Sequence, residues 1–311
     1  MKRIKGSGIT QSMPLAIVAA AAAAFAAPAS AVEFSLGDWN GNLNTTLSLG
    51  SSWRAEGADS QLVHPGDGLR VGIDNGRGGS ISDGGNLNYE KGDRFSTIAK
   101  FVTDLSVSRN GVGGLVRLKG WTDDALENRD VRFGNQASGY KQGEPLSDGG
   151  FENLQKFSGV ELLDAYVYGN VSIAGRPLQL RAGRQVLNWG ESLFVPGINQ
   201  INAIDVPALR RAGTEIKEAL LPAGMVSANL GLGHGLSFEA FYQFEWENTP
   251  IDGCGSYWSV TEAIISTSPG DCPMGVALGP DAPTSLAMGA YAPLIKGREP
   301  SDGGQGGVAL R

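Results

Sequence analysis

After Ala31 the sequence has no run approaching ~20 consecutive apolar residues, so nothing beyond that point can cross a bilayer as a helix. Cysteine is nearly absent: Cys254 and Cys272 are the only two. Both lie in one segment rich in Gly, Pro and Ser, and in an oxidising compartment they are expected to pair and staple a loop. Histidine is as scarce, with His64 and His234 alone. Two Cys and two His are too few for a metal site, and no metal or other cofactor is expected. The chain has no Gly-x-Ser-x-Gly elbow and no His-Glu-x-x-His, and neither histidine has a nucleophile nearby in sequence. No catalytic residue is assigned, and the protein is not expected to be an enzyme. A basic excess is missing too: the formal charge is −7, which argues against nucleic acid as a partner.

What is present begins with an export signal. Lys2, Arg3 and Lys5 form a basic start, an Ala-rich apolar run follows from Met13 to Ala27, and Ala29-Ser30-Ala31 supplies small residues for cleavage. Residues 1–31 therefore read as a signal peptide and residues 32–311 as the mature chain. At about fifteen residues the apolar run is short for an anchor. Glycine, at 46 residues, is about twice its usual share. With the many Asn, Asp and Ser, that excess indicates the turns and loops of an all-β protein.

Trp39 to Arg54 is the clearest segment. Trp39, Leu43, Thr45, Leu47, Leu49 and Trp53 take the odd positions, and Asn40, Asn42, Asn44, Thr46, Ser48, Ser52 and Arg54 the even ones. Period-2 alternation over this length exceeds an ordinary strand of about 5–6 residues. At ~3.3 Å per residue the two Trp stand about 46 Å apart. A tilt of roughly 40° makes that about 35 Å along a barrel axis, a spacing that suits the two aromatic girdles of a membrane barrel. Six further segments alternate: Phe95–Arg109, Gly114–Trp121, Glu161–Val171, Leu178–Trp189, Ala223–Leu232 and Leu236–Glu247, with Phe241 and Arg184 out of pattern. In the fourth strand, Leu163 is placed on the apolar face with Ala165 and Val167.

The links between these segments alternate long and short without exception. Residues 55–94, 122–160, 190–222 and 248–303 are long, whereas 110–113, 172–177 and 233–235 are minimal. Antiparallel outer-membrane barrels sort their loops this way, with short periplasmic turns and long extracellular loops. The fold class expected is an all-β antiparallel outer-membrane β-barrel, in the cell outer membrane, with outer-membrane lipid around it. Gln305 to Arg311 looks like the start of an eighth strand. Because bacterial barrels have even strand counts and lipid does not tolerate an open sheet, a fragment of about seven to eight strands is expected; a small eight-stranded barrel is the alternative.

Under this reading the polar faces line a lumen, and Lys100, Asp104, Arg117, Lys119, Asp164, Arg181, Glu239 and Glu245 are its candidate residues. Both signs are represented, so no ion selectivity is announced. Arg184 and Glu191 crowd the outer end of the fifth strand. They form either a constriction that meets the solute or an ordinary strand exit with Trp189 in the outer girdle. In the loop beyond, Asp205 before Val206-Pro207 resembles a helix N-cap. Leu209, Ala212, Ile216, Ala219 and Leu220 then make a helical stripe over residues 204–220, which either narrows the barrel mouth or packs on its rim. Ser-Asp-Gly-Gly occurs at 82–85, 147–150 and 301–304 and reads as turn chemistry.

The stretches Leu87-Asn-Tyr-Glu-Lys-Gly-Asp93, Glu161-Leu-Leu-Asp-Ala-Tyr166, Gly183-Arg-Gln-Val-Leu-Asn-Trp-Gly-Glu-Ser192 and the closing Ser301–Arg311 carry a resemblance. The chain resembles the N-terminal half of a proteobacterial outer-membrane family catalogued as domain of unknown function 1302. The resemblance implies an outer-membrane channel linked to passage of hydrophobic compounds, and it transfers no catalytic residues. Three readings of function follow: a channel for poorly soluble organic molecules, passive or assisted by a periplasmic partner; a surface-exposed structural or binding barrel without transport; and an outer-membrane hydrolase.

Overall fold

The computed structural model describes residues 31–79, 83–189, 201–259, 272–295 and 297–311. Nine strands make one antiparallel sheet: β1 (Val32–Leu36), β2 (Trp39–Trp53), β3 (Arg94–Arg109), β4 (Val112–Asp123), β5 (Ser158–Ile173), β6 (Arg176–Gln185), β7 (Ala223–Gly233), β8 (Leu236–Gln243) and β9 (Gln305–Leu310). Each strand pairs with the next in sequence, so the sheet is a simple meander. Its edges, β1 and β9, do not meet, and the sheet stays open among the described residues.

All seven alternating segments are strands, and Gln305–Leu310 is the expected further one. The count still rises to nine, because Val32–Leu36 forms a hairpin with the start of β2. Two strands end early: β6 stops at Gln185 and β8 at Gln243. Minimal turns join the strands at one end of the sheet. Asn110-Gly111, Ala174-Gly175 and His234-Gly235 each hold two consecutive residues at positive φ. Type I′ hairpins need that geometry because it matches the twist of the flanking strands. Residues 54–93, 124–157, 186–222 and 244–304 connect the strands at the other end.

The register carries the sequence alternation across the sheet. Leu43 pairs with Leu105, which pairs with Val116, which pairs with Ala165. The face so formed is apolar and open to its surroundings: Leu47 is 61% exposed, Val167 64% and Val308 69%. Trp39 and Trp53 stand exposed at the two ends of β2 on that face. One assignment changes. The β4–β5 register shifts between Val116 and Leu118, where Leu163 and Asp164 together oppose Arg117. This bulge turns Leu163 inward, fully buried, and leaves Val160 and Leu162 on the apolar face instead.

The long loops are folded. Val63, Val71 and Leu87 from residues 54–93 pack with Phe133 and Tyr140 from 124–157 and with Met274 and Ala282 from 244–304. A second cluster joins Val131, Leu146, Phe151 and Phe157 to the disulfide Cys254–Cys272. Asn88, with no exposed surface, ties three loops together. Its amide donates to Gly134 O (3.0 Å) and Gly255 O (2.9 Å), and its oxygen accepts from Phe133 N (3.0 Å) and Gly134 N (2.8 Å). Arg54, at the end of β2, donates to Gly85 O and Tyr89 O and lies 5.6 Å from the centre of the Tyr257 ring. In the Ser-Asp-Gly-Gly motifs, Asp83 caps a helical turn by accepting from Asn86 N, and Asp148 accepts from Phe157 N. Ser82 lies outside the described residues.

The disulfide spans 18 residues of sequence. Closing a loop of that size stabilises by about 3 kcal/mol through the unfolded ensemble. The double variant C254A/C272A should therefore lose about that much local stability in the loop body, with the strands unaffected. Limited proteolysis with and without reductant measures it: loop cleavage should accelerate roughly a hundredfold, and an unchanged rate would show that the apolar cluster holds without the staple.

Candidate functional site

The polar face of β3–β5 is covered by the segment between β6 and β7. Asn202 fastens both ends of its described part: its amide donates to Gln185 O (3.2 Å) and Leu221 O (2.9 Å), and its oxygen accepts from Leu187 N (2.8 Å). The helical stripe expected over 204–220 is two short helices, Val206–Arg210 and Ile216–Ala219, with Arg211 extended where the first ends. In these helices Pro207, Ala208, Glu218 and Ala219 are buried, whereas Leu209 and Ile216 are exposed. An apolar stripe therefore does not seat the segment; ion pairs do.

Four buried groups make the seat. Lys100, on β3, binds Glu218 at 2.8 Å, and each side chain is only 5% exposed. It also donates to Thr214 Oγ1 at 2.9 Å. Lys119, on β4, binds the carboxylate of Asp205 and donates to Glu218 O at 3.1 Å. Asp205 serves twice, because its other oxygen accepts from Ala208 N (2.9 Å) and caps the first helix. Glu218 likewise caps the second, accepting from Glu215 N at 3.1 Å. Next to these pairs, Arg117 donates to Asp104 (2.6 Å) and to Asp164 (2.7 Å), the residue the bulge has aimed at it. Lys217 lies 3.9 Å from Asp104. Five of the candidate lumen residues thus converge in one network.

The rim of this network is aromatic. The Arg211 guanidinium lies 4.9 Å from the Trp121 ring centre, and Trp121 donates to Lys156 O at 2.9 Å. Burial lowers the Arg211 pKa, against the pull of Asp205 and Asp252. Arg210 binds Asp252 and stacks on Trp258 at 5.4 Å. Burial raises the Asp252 carboxyl despite that guanidinium. Sequence reasoning did not find Asp205 and Glu218 as lysine partners; the signal available was an acidic residue before one short helix and another within the next, in a loop that follows a strand exit.

On the β6–β8 side the arrangement is looser. Gln185 is buried, donating to Met225 O (3.0 Å) and accepting from Ser227 Oγ (3.1 Å). Arg184 joins Glu245 (2.7 Å) and Glu247 (2.8 Å) where β6 and β8 leave the sheet, and burial raises the Glu247 carboxyl. Glu191 lies outside the described residues. Trp189 is not in an outer girdle. It meets Phe241, on the polar face of β8, edge to face at 5.0 Å. It also lies so close over Gly307 that a Cβ there would stand 2.7 Å from the indole. Phe241 is out of the strand pattern because this contact occupies it. Glu239 accepts from Asn229 (2.9 Å) and pairs with Arg311 (3.2 Å). Arg181 lies 5.6 Å from the Tyr166 ring centre and has no carboxylate partner among the described residues.

The model of a family described as Protein of unknown function (DUF1302) matches residues 12–311. The chain belongs to this family. No curated protein and no solved structure matches the chain. In this DUF1302 protein the stretches that carried the resemblance fall on the structural junctions just described. Leu87–Asp93 contains the Asn88 hub, Glu161–Tyr166 supplies Asp164 and the ring under Arg181, and the described part of Gly183–Ser192 supplies Arg184, Gln185 and Trp189.

Proposed function

We propose that these strands are part of an outer-membrane β-barrel that passes poorly soluble organic molecules. The observation that carries the reading is the continuous exposed apolar face of the sheet, bounded by Trp39 and Trp53, with every tight turn at one end and every folded loop at the other. A soluble protein rarely leaves so large an apolar face open. No helix among the described residues is long and apolar enough to cross a membrane, so the strands are the spanning elements in this reading. A sheet edge has no water to bond within lipid, so in the proposed barrel the edges β1 and β9 are paired rather than open. Residues 1–31 are then an export signal, and the loop body faces outward, in an oxidising medium that suits Cys254–Cys272.

One observation favours a second reading, a surface-exposed binding barrel without transport: the segment seated by Lys100–Glu218 and Lys119–Asp205 occupies the polar face. Reconstitution decides between the two. The full chain should float with lipid vesicles and support uptake of a neutral one-ring aromatic above an empty-vesicle control. Vesicle association without uptake would overturn the channel and leave the binding barrel; failure to associate would overturn both.

A further inference from the structure

Between Trp189 and the polar faces of β6, β7 and β8 lies a cavity of about 270 Å³. Small-molecule sites run from roughly 300 Å³ upward, so the space suits a compact ligand. Its wall includes Gln179, Arg181, Asn188, Trp189, Asn229 and Glu239. The charges on that wall are unequal in their engagement. Glu239, its carboxylate, is already held by Asn229 and Arg311. Arg181 has only a long contact with Gln179 Oε1 (3.5 Å) and the Tyr166 ring behind it. Lys100, Arg117 and Lys119, the other polar-face cations read from the sequence, are each matched by a carboxylate.

We propose that this cavity is a binding site for an organic carboxylate with a flat apolar body. A planar guanidinium offers two parallel N–H donors that fit a carboxylate, and a ring packed beneath it leaves that fork facing outward. Trp189, braced by Phe241, supplies an aromatic wall for the body of the ligand, and Asn188 and Asn229 supply neutral polar edges. The inference deepens the proposed function: it rests on reading the polar face as a solute path, and it adds a preference for an acidic solute over a neutral one of the same shape.

The test compares 1-naphthoate with its neutral counterpart 1-naphthamide, by calorimetry on the full chain in detergent. Naphthoate should bind about tenfold more tightly, the scale of one charge-assisted contact. In R181Q that preference should vanish while naphthamide affinity stays the same, which also reports that the cavity is intact. R181K should retain part of the preference, and W189A should weaken both ligands together. Equal binding of the two ligands to the native chain, or a preference that survives R181Q, overturns the site. Loss of vesicle uptake with the naphthoate preference intact would overturn the channel and not this site; uptake without the preference would do the reverse.

Discussion

Replacing Glu218 with Ala should release the segment between β6 and β7 from the polar face of the sheet. The substitution removes the carboxylate from a pair in which both side chains are 5% exposed, leaving the Lys100 ammonium buried against Thr214 alone. Breaking a buried pair from one side costs about 3–5 kcal/mol, because the remaining charge loses its compensation. It also removes the cap on Glu215 N, worth about 1 kcal/mol. Hydrogen exchange over residues 203–221 should then accelerate by about three to four orders of magnitude, while β3 and β4 exchange as before. Trypsin should gain access at Arg210, Arg211 and Lys217. The double variant K100M/E218L separates charge from shape: with both charges gone and the volume kept, the segment should reseat with little loss. High salt should not mimic E218A, since buried pairs are weakly screened. In the channel reading, E218A also raises vesicle uptake. Unchanged exchange over 203–221 would show that the ion pairs do not hold the segment.

The strands were legible because one face of each is apolar, and period-2 alternation is all that such a sheet requires of its sequence. Asn110-Gly111 marked its own turn for the same local reason. Val32, Phe34 and Leu36 alternate with Glu33 and Ser35 just as clearly, yet five residues next to a stretch read as an export signal did not register as a strand. The bulge opposite Arg117 was hidden because Leu162 and Leu163 are chemically identical, and only the partner strand decides which of them faces out. Lys100 and Lys119 were found as polar-face residues from their own strands. Their partners Asp205 and Glu218 lie 86 and 118 residues away along the pairs Lys119–Asp205 and Lys100–Glu218, in a loop where no periodicity operates. Asp205 was legible as a helix cap and does cap; its second oxygen was the unread half. The loop body was the least legible part. Val63, Leu87, Phe133 and Met274 recur at no helical or strand period, so the core they build emerges only when three loops meet.

At the junction of those loops, Asn88→Ala should unfold the loop body while leaving the sheet standing. Asn88 supplies two donors and one twice-used acceptor to backbone groups of residues 133, 134 and 255, all in the buried interior. Truncation leaves two N–H groups and two carbonyls without that partner. Each such buried group costs roughly 1–3 kcal/mol, so even partial relaxation leaves a loss on the order of 4 kcal/mol. Asn88→Asp is the sharper variant. Its carboxylate can still accept from Phe133 N and Gly134 N, but it cannot donate to Gly134 O or Gly255 O and brings a charge against two carbonyls. Both variants should speed protease cleavage in 54–93, 124–157 and 244–304 together, because the hub belongs to all three, whereas C254A/C272A should act first on the loop that contains it. Strand signals by circular dichroism should persist, since β1–β9 bond to one another and not through Asn88. A loss below about 1 kcal/mol for N88A would mean that water fills the amide's place and satisfies the same four groups, because a single well-placed water makes two to four such bonds. The loops would then be held by their apolar cluster, and N88D, whose carboxylate leaves no room for that water, would remain the only damaging substitution at this position.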